Sequence, residues 1–258
     1  MIELNARVTG QGEPVILLHG LFGSLENLGG IARQLAAHYE VHSLDLRNHG
    51  RSPHTEQLNY DVMAEDVLRY MDLHDIQRPR VLGHSMGGKV GMTLALKAPQ
   101  RIRQLVVADI APVHYGAHHD GVFSGLAAID LKTLTSRQQA DECLQRHVPE
   151  MPVRQFLLKN LVKSGEGGFQ WRLNLPTIIR HYDQILQGQH AENPYTGPVL
   201  FIKGGLSDYI KPGYQEHTAT LFPNAQLKII PGTGHWLHAD KPELFARLVL
   251  RFFNSEES

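Results

Sequence analysis

Short apolar runs alternate with longer amphipathic stretches over the first two-fifths of the chain. Pro14–His19, Val41–Asp45, Arg80–Gly83 and Gln104–Asp109 are runs of strand length, most of them largely apolar. Between them, apolar residues recur at helical spacing. Glu26 to His38 is one such stretch, and Tyr60, Met63, Val67, Tyr70 and Met71 mark a helix over about 60–74. Strands without a polar face are buried on both sides, so the pattern predicts a parallel sheet covered by helices. The rhythm breaks after Pro112. Residues 113–193 carry helical signals and no clear core strand. Ser136 and Gln139 have capping-box spacing for a helix toward Val148. Pro152 opens a helix with Val153, Phe156, Leu157 and Leu161 on one face, and Pro176 opens a third with Ile178, Ile179, Tyr182 and Ile185. Strands resume at Pro198–Ile202 and Gln226–Ile230. A last helix follows Pro242, with Phe245, Leu248, Val249 and Phe252 facing inward. The expected class is α/β, a mostly parallel central sheet flanked by helices, with a core of residues 1–112 and 194–258. The expected insertion, 113–193, leaves the sheet and returns to it as a helical lid over the strand ends.

Bulk properties narrow the partners. The 258 residues include 42% hydrophobic and 20% charged positions, with a formal net charge of −1. No run of one sign points to a nucleic acid or an anionic surface, and no apolar run is long enough to span a bilayer. The N-terminus lacks a basic start followed by an apolar core, so the expected compartment is the cytoplasm. The single cysteine, Cys143, excludes an intrachain disulfide, and its neighbours Asp141 and Glu142 disfavour a thiolate. Among 16 histidines, His114 and His118 have i,i+4 spacing beside His119 and Asp120. Pro112 and Gly116 break any regular helix there, so no metal and no cofactor are expected.

The candidate chemistry centres on Gly83-His84-Ser85-Met86-Gly87, which joins the Arg80–Gly83 strand to a helix-like segment. A serine hydroxyl is a weak nucleophile unless a tight turn presents it to a base and to an oxyanion pocket. Glycines two positions either side of the serine permit that turn, because a side chain there would collide where strand and helix meet. A candidate base is His235, in the Gly-rich loop after the last strand. It shares with Ser85 a position just past a strand's carboxyl end, where open α/β sheets gather their ligands. The orienting acid has two candidates, Asp109 and Asp208, each following a strand and each compatible with the chain order Ser, Asp, His. The oxyanion donors are the Met86 N–H at the start of the helix and a second N–H from His19-Gly20-Leu21-Phe22-Gly23, either Leu21 or Phe22. His19 itself reads as a residue that bonds nearby loops.

These motifs together resemble the α/β-hydrolase superfamily over nearly the whole chain. More narrowly, His-Gly-Leu-Phe-Gly-Ser at 19–24, Asp-Leu-Arg-Asn-His-Gly-Arg-Ser at 45–52, Gly-His-Ser-Met-Gly-Gly-Lys at 83–89, Asp-Ile-Ala-Pro-Val at 109–113 and Gly-His-Trp at 234–236 resemble the YbfF-type bacterial esterases. The resemblance implies a cofactor-free Ser-His-Asp carboxylester hydrolase with a helical lid, and it carries onto Ser85 and His235. The superfamily's usual layout matches Asp208, whereas the Asp-Ile-Ala-Pro segment typical of the subfamily favours Asp109. The expected partner is a small acyl ester or thioester. Phe156, Leu157, Leu161, Phe169, Trp171 and Trp236 are candidates for an apolar substrate pocket, although the same lid residues would serve simply to pack it. Arg47, His49 and Arg51 are a candidate contact for an anionic substrate, or a structural loop. Carbon–carbon hydrolases, lyases and haloperoxidases share the serine triad and stay open as alternatives. A hydrolase-like binding protein without turnover is a further one. Neither acyl length nor oligomeric state is legible.

Overall fold

The computed structural model describes residues 2–165 and 167–255. Its main sheet contains β1 (Ala6–Thr9), β2 (Pro14–Leu18), β3 (Glu40–Leu44), β4 (Arg80–His84), β5 (Gln104–Ala108), β8 (Val199–Gly204) and β9 (Ala225–Ile230). A separate hairpin is formed by β6 (Leu161–Lys163) and β7 (Phe169–Trp171). The order across the main sheet is β1-β3-β2-β4-β5-β8-β9; β1 is antiparallel to β3, and every other pair is parallel. The chain runs from β2 to β3 on one side and then returns to place β4 on the other. That reversal opens a crevice beyond the carboxyl ends of β2 and β4, where an open parallel sheet binds its ligands.

The apolar runs become strands because both sheet faces are covered. Val15, Leu17 and Leu82 pack against α1 (Gly29–Leu35) and α11 (Pro242–Phe253), chiefly on Ile31, Leu35, Phe245, Val249 and Phe253. Ile16, Leu18 and Val81 face the other way, toward α2 (Tyr60–Leu73) and α3 (Met86–Lys97). The 60–74 periodicity is α2, whose N-cap Asn59 accepts the Val62 N–H at 2.9 Å. Two short helices complete the core: α9 (Gln215–Leu221) between β8 and β9, and α10 (Leu237–Asp240) before α11.

The segment between β5 and β8 carries α4 (Asp120–Ala127), α5 (Arg137–Gln145), α6 (Met151–Leu158), the hairpin, α7 (Leu175–Arg180) and α8 (Tyr182–Leu186). Ser136 caps α5 by accepting the Gln139 N–H at 3.1 Å. One expectation fails here, and one element was not foreseen. The helix opened by Pro152 ends at Leu158, so Leu161 is not on its face but in β6, opposite Trp171. The segment also contains strands, because Ser164 and the left-handed Gly167 and Gly168 (φ +91° and +77°) turn the chain back on itself. Arg47 is buried and grips Asp66 with two hydrogen bonds of 2.6 and 2.8 Å, which makes its loop structural.

The backbone is tightly packed around Ser85. A Cβ on Gly83 would lie 2.2 Å from the Gly87 carbonyl oxygen, and a Cβ on Gly87 would lie 2.2 Å from the Leu18 carbonyl oxygen. Around Gly30 on α1 a Cβ would meet nothing within 4 Å. Gly87→Ala is therefore expected to lose about 3 kcal/mol of unfolding free energy or more. Gly30→Ala should be neutral or stabilise by up to about 1 kcal/mol. Urea denaturation of the two variants beside the parent checks both.

Candidate active site

Ser85 sits between β4 and α3 with φ +53° and ψ −119°, a conformation disfavoured for any residue with a side chain. Its N–H donates to the Ala108 carbonyl at 2.9 Å, and its own carbonyl accepts from the Lys89 N–H at 3.1 Å. The serine is thus held by the end of β5 below and by the first turn of α3 above. The loop after β2 crosses beside it: a Cβ on Gly20 would stand 3.3 Å from the Ser85 Cβ.

His235 comes from the loop after β9. Its Nε2 lies 2.9 Å from Ser85 Oγ and its Nδ1 lies 2.8 Å from Asp109 Oδ2. A carboxylate can only accept, so Nδ1 carries the proton and Nε2 is left to accept from the serine hydroxyl. Asp109 has no solvent exposure, whereas the His235 side chain is 25% exposed. The same carboxylate accepts the Gly204 N–H at 2.9 Å and the Ser207 hydroxyl. Asp109 also takes a left-handed φ of +53° and donates its N–H to Ile202 at 2.8 Å. Asp208 is exposed and does not bond His235.

Leu21, Phe22 and Met86 line the space in front of the serine. Phe22 is left-handed at φ +61°, and its carbonyl accepts from Asn160 Nδ2 at 2.7 Å. Met86 opens α3, where a helix has no acceptor of its own for the N–H. His19 does what its position suggested: Nδ1 donates to Gly20 O at 2.8 Å, and Nε2 accepts from the Leu46 N–H at 3.0 Å.

A cavity of about 390 Å³ opens over Ser85. Phe156, Leu157 and Trp236 line it, and the Phe156 and Trp236 rings lie 5.4 Å apart. Leu161, Phe169 and Trp171 do not line it; Leu161 is buried in the main core, and Phe169 and Trp171 pack against that core. Arg47, His49 and Arg51 are also absent from the lining. His118 and His119 reach the cavity and bond Tyr209 and Tyr182. Among the described residues no group of three or more His, Cys, Asp or Glu could hold a metal ion, and no helix is long and apolar enough to cross a membrane.

A family model described as the alpha/beta hydrolase fold matches residues 13–242. The chain belongs to the α/β-hydrolase family. It is 39% identical to esterase YbfF of Escherichia coli strain K12, over 98% of this chain and 100% of that protein. It is also 39% identical to the mouse sn-1-specific diacylglycerol lipase ABHD11, over 92% of this chain and 80% of that protein. Among solved structures, a marine microorganism esterase superposes with a TM-score of 0.96 at 37% identity, covering 98% of this chain and 100% of that one.

Sequence reasoning missed several groups of this α/β hydrolase's cavity. Tyr60, His84, Lys89, Tyr182, Tyr209 and His238 all line it. His84 and Lys89 were within the quoted Gly-His-Ser-Met-Gly-Gly-Lys motif, and Tyr209 adjoins Asp208; the others give no local signal. Lys89 is fully buried, and its amine donates to the carbonyls of Val113 at 2.8 Å, Leu186 at 3.4 Å and Gln187 at 2.5 Å. Burial lowers its pKa to about 7.

Buried imidazoles give this family member an acid-sensitive fold. Burial pushes His238 down to about 4 and His49 and His119 down to about 3; it also takes His84 well below the ordinary value of 6.5. Below pH 6.5 the unfolded chain gains protons that the folded chain refuses. The stability contributed is complete above that pH and is lost as pH falls toward 4. Each such histidine should remove about 1.4 kcal/mol per pH unit in that window. Urea midpoints between pH 7.5 and 5 measure the slope, which His238→Gln should make shallower by one histidine's share.

Proposed function

We propose that this chain is a serine carboxylester hydrolase that cleaves acyl esters or acyl thioesters through a Ser85–His235–Asp109 triad and an acyl-enzyme intermediate. The observation that carries the reading is the continuous hydrogen-bonded line from Ser85 Oγ through both nitrogens of His235 to the buried Asp109. The esterase and lipase names of the relatives support the same bond type. The 113–193 segment, whose α6 contributes Phe156 and Leu157 to the cavity, acts as the lid. A near-neutral net charge suits a cytoplasmic enzyme acting on small molecules.

Ser85 Oγ attacks the acyl carbonyl while His235 Nε2 takes its proton, giving a tetrahedral intermediate. Asp109 keeps Nδ1–H in place and stabilises the imidazolium. The oxyanion lies between the Met86 N–H and the N–H of Leu21, with Phe22 as the alternative donor, and such donors are worth roughly 10²–10³ in rate. His235 then protonates the departing alcohol or thiol. A water molecule repeats the sequence on the acyl-enzyme, with His235 again as base, and releases the carboxylic acid. Assigning the acid to Asp109 rather than Asp208 rests on the 2.8 Å bond to Nδ1.

Hydrolysis of short-chain chromogenic esters and acyl-thioesters tests the proposal. Ser85→Ala should abolish turnover and covalent labelling by a fluorophosphonate. Asp109→Asn should lower kcat by on the order of 10⁴, by analogy with the trypsin case. Asp208→Asn should stay within about threefold of the parent, since an exposed group outside the line adds little. Full activity in Ser85→Ala would overturn the mechanism, and a reversed ranking of the two aspartates would overturn the assignment of the acid.

A further inference from the structure

The triad leaves a stacked ring on His235 unexplained. The Tyr209 ring stacks on its imidazole, with centroids 4.0 Å apart and planes inclined by only 25°. The loop that carries Tyr209 follows β8 and already serves Asp109. The Tyr209 N–H donates to Ser207 Oγ at 3.2 Å, and Ser207 donates in turn to Asp109. One residue therefore touches His235 with its ring and supports, through its main chain, the serine that bonds Asp109.

Residues of the 113–193 segment hold this tyrosine in place. The Tyr115 hydroxyl donates to the Tyr209 carbonyl and accepts the Ala111 N–H at 2.9 Å. His118 Nδ1 lies 2.8 Å from the Gly116 carbonyl, which can only accept, so Nδ1 carries the proton. His118 Nε2 then accepts from the Tyr209 hydroxyl at 2.7 Å. Burial raises the Tyr209 phenol to about 12, which keeps it a donor at neutral pH.

A ring face at this distance orients a neutral imidazole and matters most when the imidazole is charged. Cations within about 6 Å of an aromatic centroid are attracted by the ring quadrupole, and neutral imidazole gains far less. In the proposed reaction His235 becomes an imidazolium as the tetrahedral intermediate forms, so the stabilisation is greater in the transition state than in the ground state. We propose that Tyr209 is a positioning residue that fixes the plane of the His235 ring and stabilises its charged form, and that Tyr115 and His118 of the inserted segment set its pose. This rests on His235 being the general base.

The prediction is a kcat effect with little change in KM. Tyr209→Leu should lower kcat by roughly 3- to 30-fold, the range a cation–π contact covers, with KM within about twofold. Tyr209→Phe keeps the ring and should recover most of the loss. His118→Ala removes the acceptor of the Tyr209 hydroxyl together with a ring packed on Tyr209, so its kcat should fall between those of Tyr209→Phe and Tyr209→Leu. The decisive series replaces Tyr209 with phenylalanine carrying one, two and three fluorines, which preserves shape while draining the ring face of charge. Log kcat should fall stepwise along it. A flat fluorine series, or a Tyr209→Leu enzyme within twofold of the parent kcat, would overturn the inference. Because the fluorinated rings keep the packing, the series decides even if Tyr209→Leu does not fold. Ser85→Ala is assayed beside it. If Ser85→Ala is inert and the series is flat, only the role of Tyr209 falls; if Ser85→Ala is active, the triad reading falls.

Discussion

A carboxylate sealed from water has to find its hydrogen bonds within the protein, and Asp109 collects them from three places. Gly204 supplies a main-chain N–H from the end of β8, Ser207 a hydroxyl from the loop beyond it, and His235 an imidazole N–H from the loop after β9. Satisfying that one group draws the carboxyl ends of β5, β8 and β9 to a point. The local geometry bears the marks of the demand. Asp109 accepts a left-handed backbone, and a Cβ on Gly204 would come within 2.1 Å of the Gly234 carbonyl. The serine is tied to the same point from the other side, through its N–H on Ala108. The Ser85 turn and the His235 ring are therefore not separately placed; both are registered against the end of β5.

The sequence made most of this fold readable because burial on both faces leaves an unmistakable pattern. Val15–Leu18, Val81–Leu82 and Leu105–Ala108 are apolar at every position since helices cover each side. Ser85 was legible because a turn this tight restricts residue type at Gly83 and Gly87. The acid was legible only as a choice of two. Asp109 and Asp208 both follow strands, and what separates them is burial and the direction of a side chain, which no spacing records. The β6–β7 hairpin escaped because its strands are three residues each, too short for alternation to show. Its turn glycines were the available signal. The cavity wall was the least readable part. Leu161 and Trp171 have the right chemistry for an acyl pocket and pack elsewhere, while Tyr182 and His238 line it because α8 and α10 happen to dock with those positions inward.

The neighbourhood of the candidate base is unusually rich in aromatic nitrogen. His84 donates from Nε2 to the His235 carbonyl at 2.8 Å, and its ring lies 4.8 Å from His235 and 4.4 Å from His238. Burial holds His84 and His238 neutral near pH 7. Uncharged rings can crowd a base that must become charged without opposing it by repulsion, whereas lysines or arginines at these positions would discourage the imidazolium. The packing of His235 and its chemistry thus ask for the same neighbours.

Lys89 has a consequence of a different order. Its single nitrogen binds Val113, where the chain leaves the core, and Leu186 and Gln187, where it prepares to return. The two roots of a long excursion are clasped at one atom, and that atom belongs to the helix that begins after Ser85. Holding the roots together removes most of what an altered excursion would otherwise disturb, because closing a longer or shorter loop between fixed ends changes its entropy only slowly with length. What lies between the clasped carbonyls can then change in length at modest cost while the sheet and Ser85 stay where they are, so long as Tyr115, His118 and Asn160 keep their bonds to Tyr209 and Phe22. The lysine is the rivet that fastens both ends of the excursion to the core.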